Sequence, residues 1–170
     1  LNLKLKHEAS HDPLTGAMNR RAILDIISKE LIRAKRRNTK LSIGLCDIDH
    51  FKLINDVYGH QVGDDALCSF VNLMQNTLRP YDLLGRYGGE EFLLVMPDSN
   101  ESAANGVYER LRTKIADHKL PTRSGGVNIT VSIGIAISTG DETADAMIAK
   151  ADNALYQAKG NGRNQLVYAD

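Results

Sequence analysis

Apolar residues first recur at helical spacing at Ile23, Leu24, Ile27 and Leu31, which predicts a helix from about Asn19 to Arg37. Its basic end, Lys35-Arg36-Arg37, suits a solvated helix C-terminus. Leu41, Ile43 and Leu45 then alternate with Ser42, Gly44 and Cys46, a strand that delivers Asp47, Ile48 and Asp49 at its C-terminal end. A polar stretch follows through Asn55, Asp56, Gly59 and Gly63, after which Leu67, Phe70, Val71, Met74 and Leu78 mark a second helix. Leu83-Leu84 and Phe92 to Val95 read as strands around a turn at Gly88-Gly89. Asp98 with Glu101 forms a candidate capping box ahead of a third helix carrying Ala104, Val107, Tyr108, Leu111 and Ile115. Ile129, Val131, Ile133, Ile135 and Ile137 alternate strictly with Thr130, Ser132, Gly134 and Ala136, and that small-residue face would let a helix pack closely. Met147, Ile148, Ala151 and Leu155 give a fourth helix, and Leu166 to Tyr168 a short final strand. The order α-β-α-β-β-α-β-α-β predicts an α/β sandwich of the α+β kind, with a central, mainly antiparallel five-stranded sheet flanked by helices.

Length and composition narrow this only a little. The 170 residues fit one domain, expected over 11–170, preceded by a connector over 1–10 that alternates apolar and basic groups. The chain opens on Leu1 rather than Met, so an upstream sensory or receiver domain is expected in a longer protein. Formal net charge is zero, so no global field attracts a nucleic-acid polymer or anionic lipid, and any polyanion must be held by local groups. Cys46 and Cys68 have no metal-type spacing and read as small core residues. No apolar run approaches the ~20 residues of a membrane span. A cytoplasmic setting is expected for the domain, although the longer protein could be membrane-anchored.

The chemistry concentrates in three places. Asp47 ends a strand, and Glu90-Glu91 follow a diglycine between two others, so neighbouring strands would bring carboxylates to one sheet edge. Clustered carboxylates repel, and all-oxygen ligands favour a hard cation, Mg²⁺ or Mn²⁺. Such a site fits phosphoryl or nucleotidyl transfer. Gly88-Gly89 has two readings: a hairpin turn that needs positive φ, or a place where a nucleotide approaches bare backbone. The segment from Phe51-Lys52 through Asn55 to Asp64 is too polar for core; backbone amides and Lys52 could face phosphates. Asn55 and Asp64 offer an amide and a carboxylate, a pair suited to the guanine edge. Taken singly, Asn55, Asp56 and Asp64 read equally well as turn and cap residues.

Taken together, these segments resemble the GGDEF-domain diguanylate cyclases over about Asp12 to Tyr168. The ordered motifs are Asp12-Pro13-Leu14-Thr15-Gly16 with Asn19-Arg20-Arg21, Asp47-Ile48-Asp49 with Phe51-Lys52 and Asn55-Asp56, and Gly59-His60 with Gly63-Asp64. Arg86-Tyr87-Gly88-Gly89-Glu90-Glu91-Phe92 is the name-giving motif in its GGEEF form. Ala151-Asp152 with Tyr156-Gln157-Ala158-Lys159 and Gly162-Arg163-Asn164 closes the set. Ala17, where a larger apolar residue is usual, and His50, at a variable position, are small departures.

The resemblance implies a nucleotidyl cyclase fold like a polymerase palm, and condensation of two GTP into cyclic di-GMP across a transient homodimer. It implies that Asp47, the Ile48 carbonyl and Glu90 ligate two Mg²⁺ or Mn²⁺ ions per site, with Glu91 at the metal and phosphate edge. Glu90 would also assist deprotonation of the attacking 3′-hydroxyl. Asn55 and Asp64 would hold guanine, and His60 would sit at the substrate site with Gly88 and Gly89. Phe51, Lys52, Lys159 and Arg163 would lie near the triphosphate. Arg79 and Asp82, as Arg-x-x-Asp ahead of the diglycine, match the family's inhibitory product site. The alternatives are a receptor domain that binds GTP or cyclic di-GMP without turnover, a cyclase that accepts ATP, and a polymerase-like transferase. Asp64 argues against the second, and the lack of a basic groove against the third.

Overall fold

The computed structural model describes residues 2–170. In chain order its elements are α1 (Asn2–Ser10), α2 (Arg20–Arg37), β1 (Ser42–Ile48), α3 (Phe51–Tyr58) and α4 (His60–Thr77). There follow β2 (Leu83–Arg86), β3 (Glu91–Met96), α5 (Glu101–Asp117), β4 (Leu120–Thr122) and β5 (Gly125–Val127). The chain closes with β6 (Val131–Ile137), α6 (Ala144–Gly160) and β7 (Leu166–Tyr168). Five strands form one sheet in the order β2-β3-β1-β6-β7, antiparallel except for the parallel pair β6–β7. This is the expected sandwich, with β1 at its centre.

Strand alternation divides the core in two. Cys46, Ile48, Phe92, Leu94, Ile133 and Ile135 face α4 and α5, whose Phe70, Met74, Tyr108 and Leu111 cover them. Ile43, Leu45, Leu93, Val95 and Ala136 face α2 and α6. The small-residue face of β6 does what its composition predicts. A Cβ on Gly134 would stand 2.1 Å from the Ala151 carbonyl oxygen, so α6 lies directly on the strand. α2 starts where Asn19 Oδ1 accepts from Ala22 N at 2.9 Å, and ends at Asn38 in a left-handed conformation.

Four sequence expectations are corrected. The polar stretch before Leu67 is helical: α3 and the first turns of α4 meet at Gly59, whose φ of 89° breaks them apart. α3 has eight residues and buries only Phe51 and Ile54, too few to show a period. The cap of α5 is Asn100, which accepts from Ala103 N, while Asp98 sits at φ 51° outside the helix. The β4–β5 hairpin has three-residue strands, too short for an alternation signal. Cys68 is only partly buried, its thiol donating to the Leu14 carbonyl at 3.2 Å, whereas Cys46 is core as expected. The connector is helical over Asn2–Ser10 with no buried residue, and Leu1 lies outside the described residues. Among the described residues no helix is long and apolar enough to cross a membrane.

Candidate active site

The antiparallel register of β1 and β3 pairs Asp47 with Glu91, and Ile48 N donates to the Glu90 carbonyl at 3.3 Å. Residues far apart in sequence thus share one sheet edge. Asp47 is 5% exposed, while Glu90 and Glu91 are half-buried. Burial, reinforced by the Asp47 charge, holds the carboxyls of Glu90 and Glu91 above their usual range. Burial likewise raises Asp47, against the opposing pull of Lys159, whose ammonium donates to Asp47 Oδ2. The Asp49 charge pushes Asp47 further up, and Arg163 pulls it down.

This edge fits a hard divalent cation. The carboxylates present only oxygen, and a bound cation would offset both the burial and the Asp47 charge that raise Glu90 and Glu91. Among the described residues no three His, Cys, Asp or Glu side chains already form a cage. A hard divalent ion such as Mg²⁺ binds one or two carboxylates and completes its shell with water and phosphate. Lys159 supplies the positive charge that Asp47 faces here.

The diglycine reading resolves in an unexpected way. Neither Gly88 nor Gly89 has a positive φ, so the turn does not need glycine for its backbone angles. A Cβ on Gly89 would meet nothing within 4 Å, so the turn presents bare backbone to open space. Arg86 fastens it: Nη2 and Nε donate to the Gly89 carbonyl at 2.8 and 3.1 Å. Arg86 Nη1 also reaches Asp12 Oδ2 at 3.2 Å, and Asp12 Oδ2 accepts from Thr15 N and Oγ1. The opening turn and the diglycine hairpin are therefore one unit. Sequence reasoning gave Asp12 and Arg86 no role, although both stand in quoted motifs.

A cavity of about 160 Å³ is lined by Asp47, Phe51, Lys52, Glu90, Lys159 and Arg163, among others. It offers room for phosphates but not for a base as well. His50, in a left-handed conformation, leads α3 into the cavity without a side-chain cap, so the first amides of α3 face it free. Asn55 and Asp64, the pair expected to hold guanine, lie beyond. A Cβ on Gly63 would come within 1.8 Å of Asn55 Oδ1, so Asn55 lies against the α4 backbone one residue before Asp64. Asp64, His60 and Lys52 are exposed and Asn55 is half-buried.

Asp49 belongs to the scaffold. Its carboxylate accepts from Thr130 Oγ1 (2.7 Å), Ser132 Oγ (2.7 Å) and Asn164 N (3.0 Å), tying β1 to β6 and to the loop after α6. Its neighbour Asp47 bonds Lys159 instead, a division the repeated Asp-x-Asp cannot reveal.

Arg79 and Asp82 stand at the other end of β2. Arg79 Nε and Nη2 fork onto Asp82 at 2.9 and 2.8 Å, Nη2 also donates to Ser99 Oγ at 2.6 Å, and the guanidinium covers the Tyr81 ring. The Asp82 carboxylate is 0% exposed. A cavity of about 670 Å³, lined by Arg79, Pro80, Asp82, His11 and Met18 among others, opens beside them.

Comparison with known proteins agrees with this geometry. The family model described as "Diguanylate cyclase, GGDEF domain" matches residues 9–165. The chain is 38% identical over 169 residues to diguanylate cyclase DgcM of Escherichia coli K12, covering 99% of this chain and 40% of that one. It is also 38% identical over 159 residues to the response regulator PleD of Caulobacter vibrioides, covering 92% of this chain and 35% of PleD. It thus spans two fifths or less of these curated relatives. Among solved structures, diguanylate cyclase SiaD of Pseudomonas aeruginosa, in complex with its activator SiaC, superposes with TM-score 0.92 at 38% identity, covering 99% of this chain and 65% of SiaD. The coiled coil and GGDEF domain of DgcB from Caulobacter crescentus, in complex with c-di-GMP, gives 0.93 at 31% identity, with 99% and 90% covered. By motif, fold and sequence, this chain belongs to the GGDEF-domain family of diguanylate cyclases.

Proposed function

We propose that this domain condenses two GTP into cyclic di-GMP with release of two pyrophosphates, as the active catalytic module of a bacterial second-messenger enzyme. The observation that carries the reading is the joining of two half-sites across α3. The carboxylate edge of Asp47 and Glu90 lies at its N-terminus, and the Asn55–Asp64 pair at its far end.

In this reading Asp64 accepts from guanine N1–H and its exocyclic amine, and Asn55 reads an adjacent edge. His60 borders the base. The free amides at Phe51 and Lys52, with the cations of Lys52, Lys159 and Arg163, hold the triphosphate. Asp47, the Ile48 carbonyl and Glu90, with Glu91 alongside, would hold two Mg²⁺ or Mn²⁺. Bound there, these ions would acidify the 3′-hydroxyl and neutralise the departing pyrophosphate. The raised Glu90 carboxyl is suited to accept the proton of that hydroxyl. Each 3′-hydroxyl attacks the α-phosphorus held by the opposite domain, so ring closure needs a homodimer. Gly88 and Gly89 leave the hairpin low enough for two nucleotides to meet over it. Arg79 and Asp82 provide a product-binding inhibitory site, in which Arg79 turns from Asp82 to a guanine edge or phosphate.

The test is one incubation with Mg²⁺ and GTP, ATP or both, with products separated by mass. Cyclic di-GMP from GTP alone is expected. Absence of turnover at high protein concentration would make the domain a receptor, and a mixed product would remove the guanine assignment of Asp64.

A further inference from the structure

The loop after α6 takes an unfavourable backbone path. Gly162, Arg163 and Asn164 have φ values of 113°, 64° and 46° in succession. Glycine adopts such angles freely and Asn tolerates them, but Arg is held there against its backbone preference. Two backbone amides are held, Arg163 N by the Ala158 carbonyl of α6 and Asn164 N by Asp49 Oδ2, each at 3.0 Å. The third restraint comes from across the sheet. Arg112 on α5 donates through Nη1 to Asn164 Oδ1 at 2.9 Å, and the same atom lies 3.5 Å from the Asn164 carbonyl oxygen. Arg112 is itself set by a fork onto Glu109, with Nε and Nη2 each reaching Oε2, at 3.0 and 2.8 Å.

Arg112 does not line the phosphate-sized cavity, whereas Arg163 does. We propose that the Glu109–Arg112–Asn164 clamp is a positioning device: Arg112 holds Asn164 in its left-handed conformation and so aims Arg163 at the triphosphate. This rests on the phosphate role proposed for Arg163. The fork geometry explains why an arginine serves. One face of the guanidinium is fixed by Glu109, leaving Nη1 aimed at a single acceptor, which a lysine with its one ammonium cannot reproduce. Arg112 is 21% exposed at its side chain, so solvent screens the pair only partly.

The test measures binding by calorimetry at fixed Mg²⁺ to the full chain, using a GTP analogue with a methylene bridge between the α and β phosphates, and guanosine as the phosphate-free control. Arg163→Ala is expected to weaken the analogue about tenfold, the worth of a lost charge-assisted hydrogen bond. Arg112→Ala should weaken it about threefold to tenfold by the same loss of aim, leaving guanosine affinity unchanged. The double variant should bind no more weakly than Arg163→Ala, because the two act through one contact. Asn164→Ala keeps the backbone bond to Asp49, removes Oδ1 as the acceptor for Arg112 and is disfavoured at the left-handed angle, so it should reproduce the Arg112→Ala loss, whereas Asn164→Gly, which adopts that angle without the clamp, should bind more tightly than Asn164→Ala. Additive losses, or guanosine weakened in parallel with the analogue, would overturn the clamp and leave a general structural role. If Arg163→Ala weakens the analogue and neither Arg112→Ala nor Asn164→Ala does, the clamp alone fails. If Arg163→Ala changes nothing, the phosphate role of Arg163 fails and the inference with it.

Discussion

At the scale of single residues, the active edge trades stability for function. Glu90 is kept above the usual 4.5 of a glutamate by burial and by Asp47. A carboxyl raised in the folded state adds stability that is full below its unfolded pKa and is lost as pH rises through its folded one. Near neutral pH without a divalent cation, Glu90 is therefore a net cost. Glu90→Gln removes that cost together with the proposed proton acceptor and cation ligand. Turnover should fall by about 10³-fold or more, as removal of a catalytic group typically does. The melting temperature measured in chelator should hold or rise above that of the parent, and rise less at acid pH, where Glu90 is already neutral. A variant that keeps most of its turnover would remove Glu90 from the reaction.

At the scale of elements, the proposed base-recognition pair, Asn55 and Asp64, depends on how α3 crosses α4. Gly63 is the contact point, because any Cβ there displaces Asn55 Oδ1. The displaced atom ends a short side chain, so the backbone has no reason to move, and alanine is the better helix former by about 1 kcal/mol. Gly63→Ala should therefore keep or raise the melting temperature. It should also weaken GTP binding by roughly tenfold and reduce preference over ATP, as loss of one good base contact does. Unchanged preference for GTP would separate Asn55 from base recognition. A second clamp supports the same element: Arg123 in the β4–β5 hairpin forks onto Asp65 at 2.8 and 3.0 Å and reaches Gln61 at 3.0 Å, bracing the α4 face next to Asp64. That partner brings the Asp65 carboxyl down to about 2.

At the scale of the whole molecule, β2 separates the two proposed nucleotide sites. Four residues of strand, about 13 Å, lie between the Arg79–Asp82 turn and the catalytic hairpin. The Asp12–Arg86–Gly89 chain of contacts runs past both, since the larger cavity is walled by His11 and Met18 from the opening segment. Product bound at Arg79 thus lies against the same segment that braces the diglycine turn. Progress curves with added cyclic di-GMP should slow in the parent and stay linear in Arg79→Ala, with equal initial rates. A parent curve indifferent to product would exclude inhibition at this turn.

The sequence by itself determined the layers, the five strands and the family, because those rest on local periodicity and ordered motifs. Gly134, in the small-residue face of β6, already announced the close approach of α6. Short elements escaped it: α3 buries only two residues and the β4–β5 strands have three each, so neither repeats long enough to show a period. Partners within a motif escaped it too. The sequence singled out Asp47 for the carboxylate edge, but only the tertiary structure shows Lys159 against it and gives Asp49 to Thr130, Ser132 and Asn164. The diglycine left two readings open, unusual turn angles or an open approach to bare backbone, and the fold shows ordinary angles and an open approach. What only the fold decided was which partner each charged group meets. Partner choice depends on residues brought together from some fifty to more than a hundred positions away, as for Arg112 with Asn164 and Lys159 with Asp47.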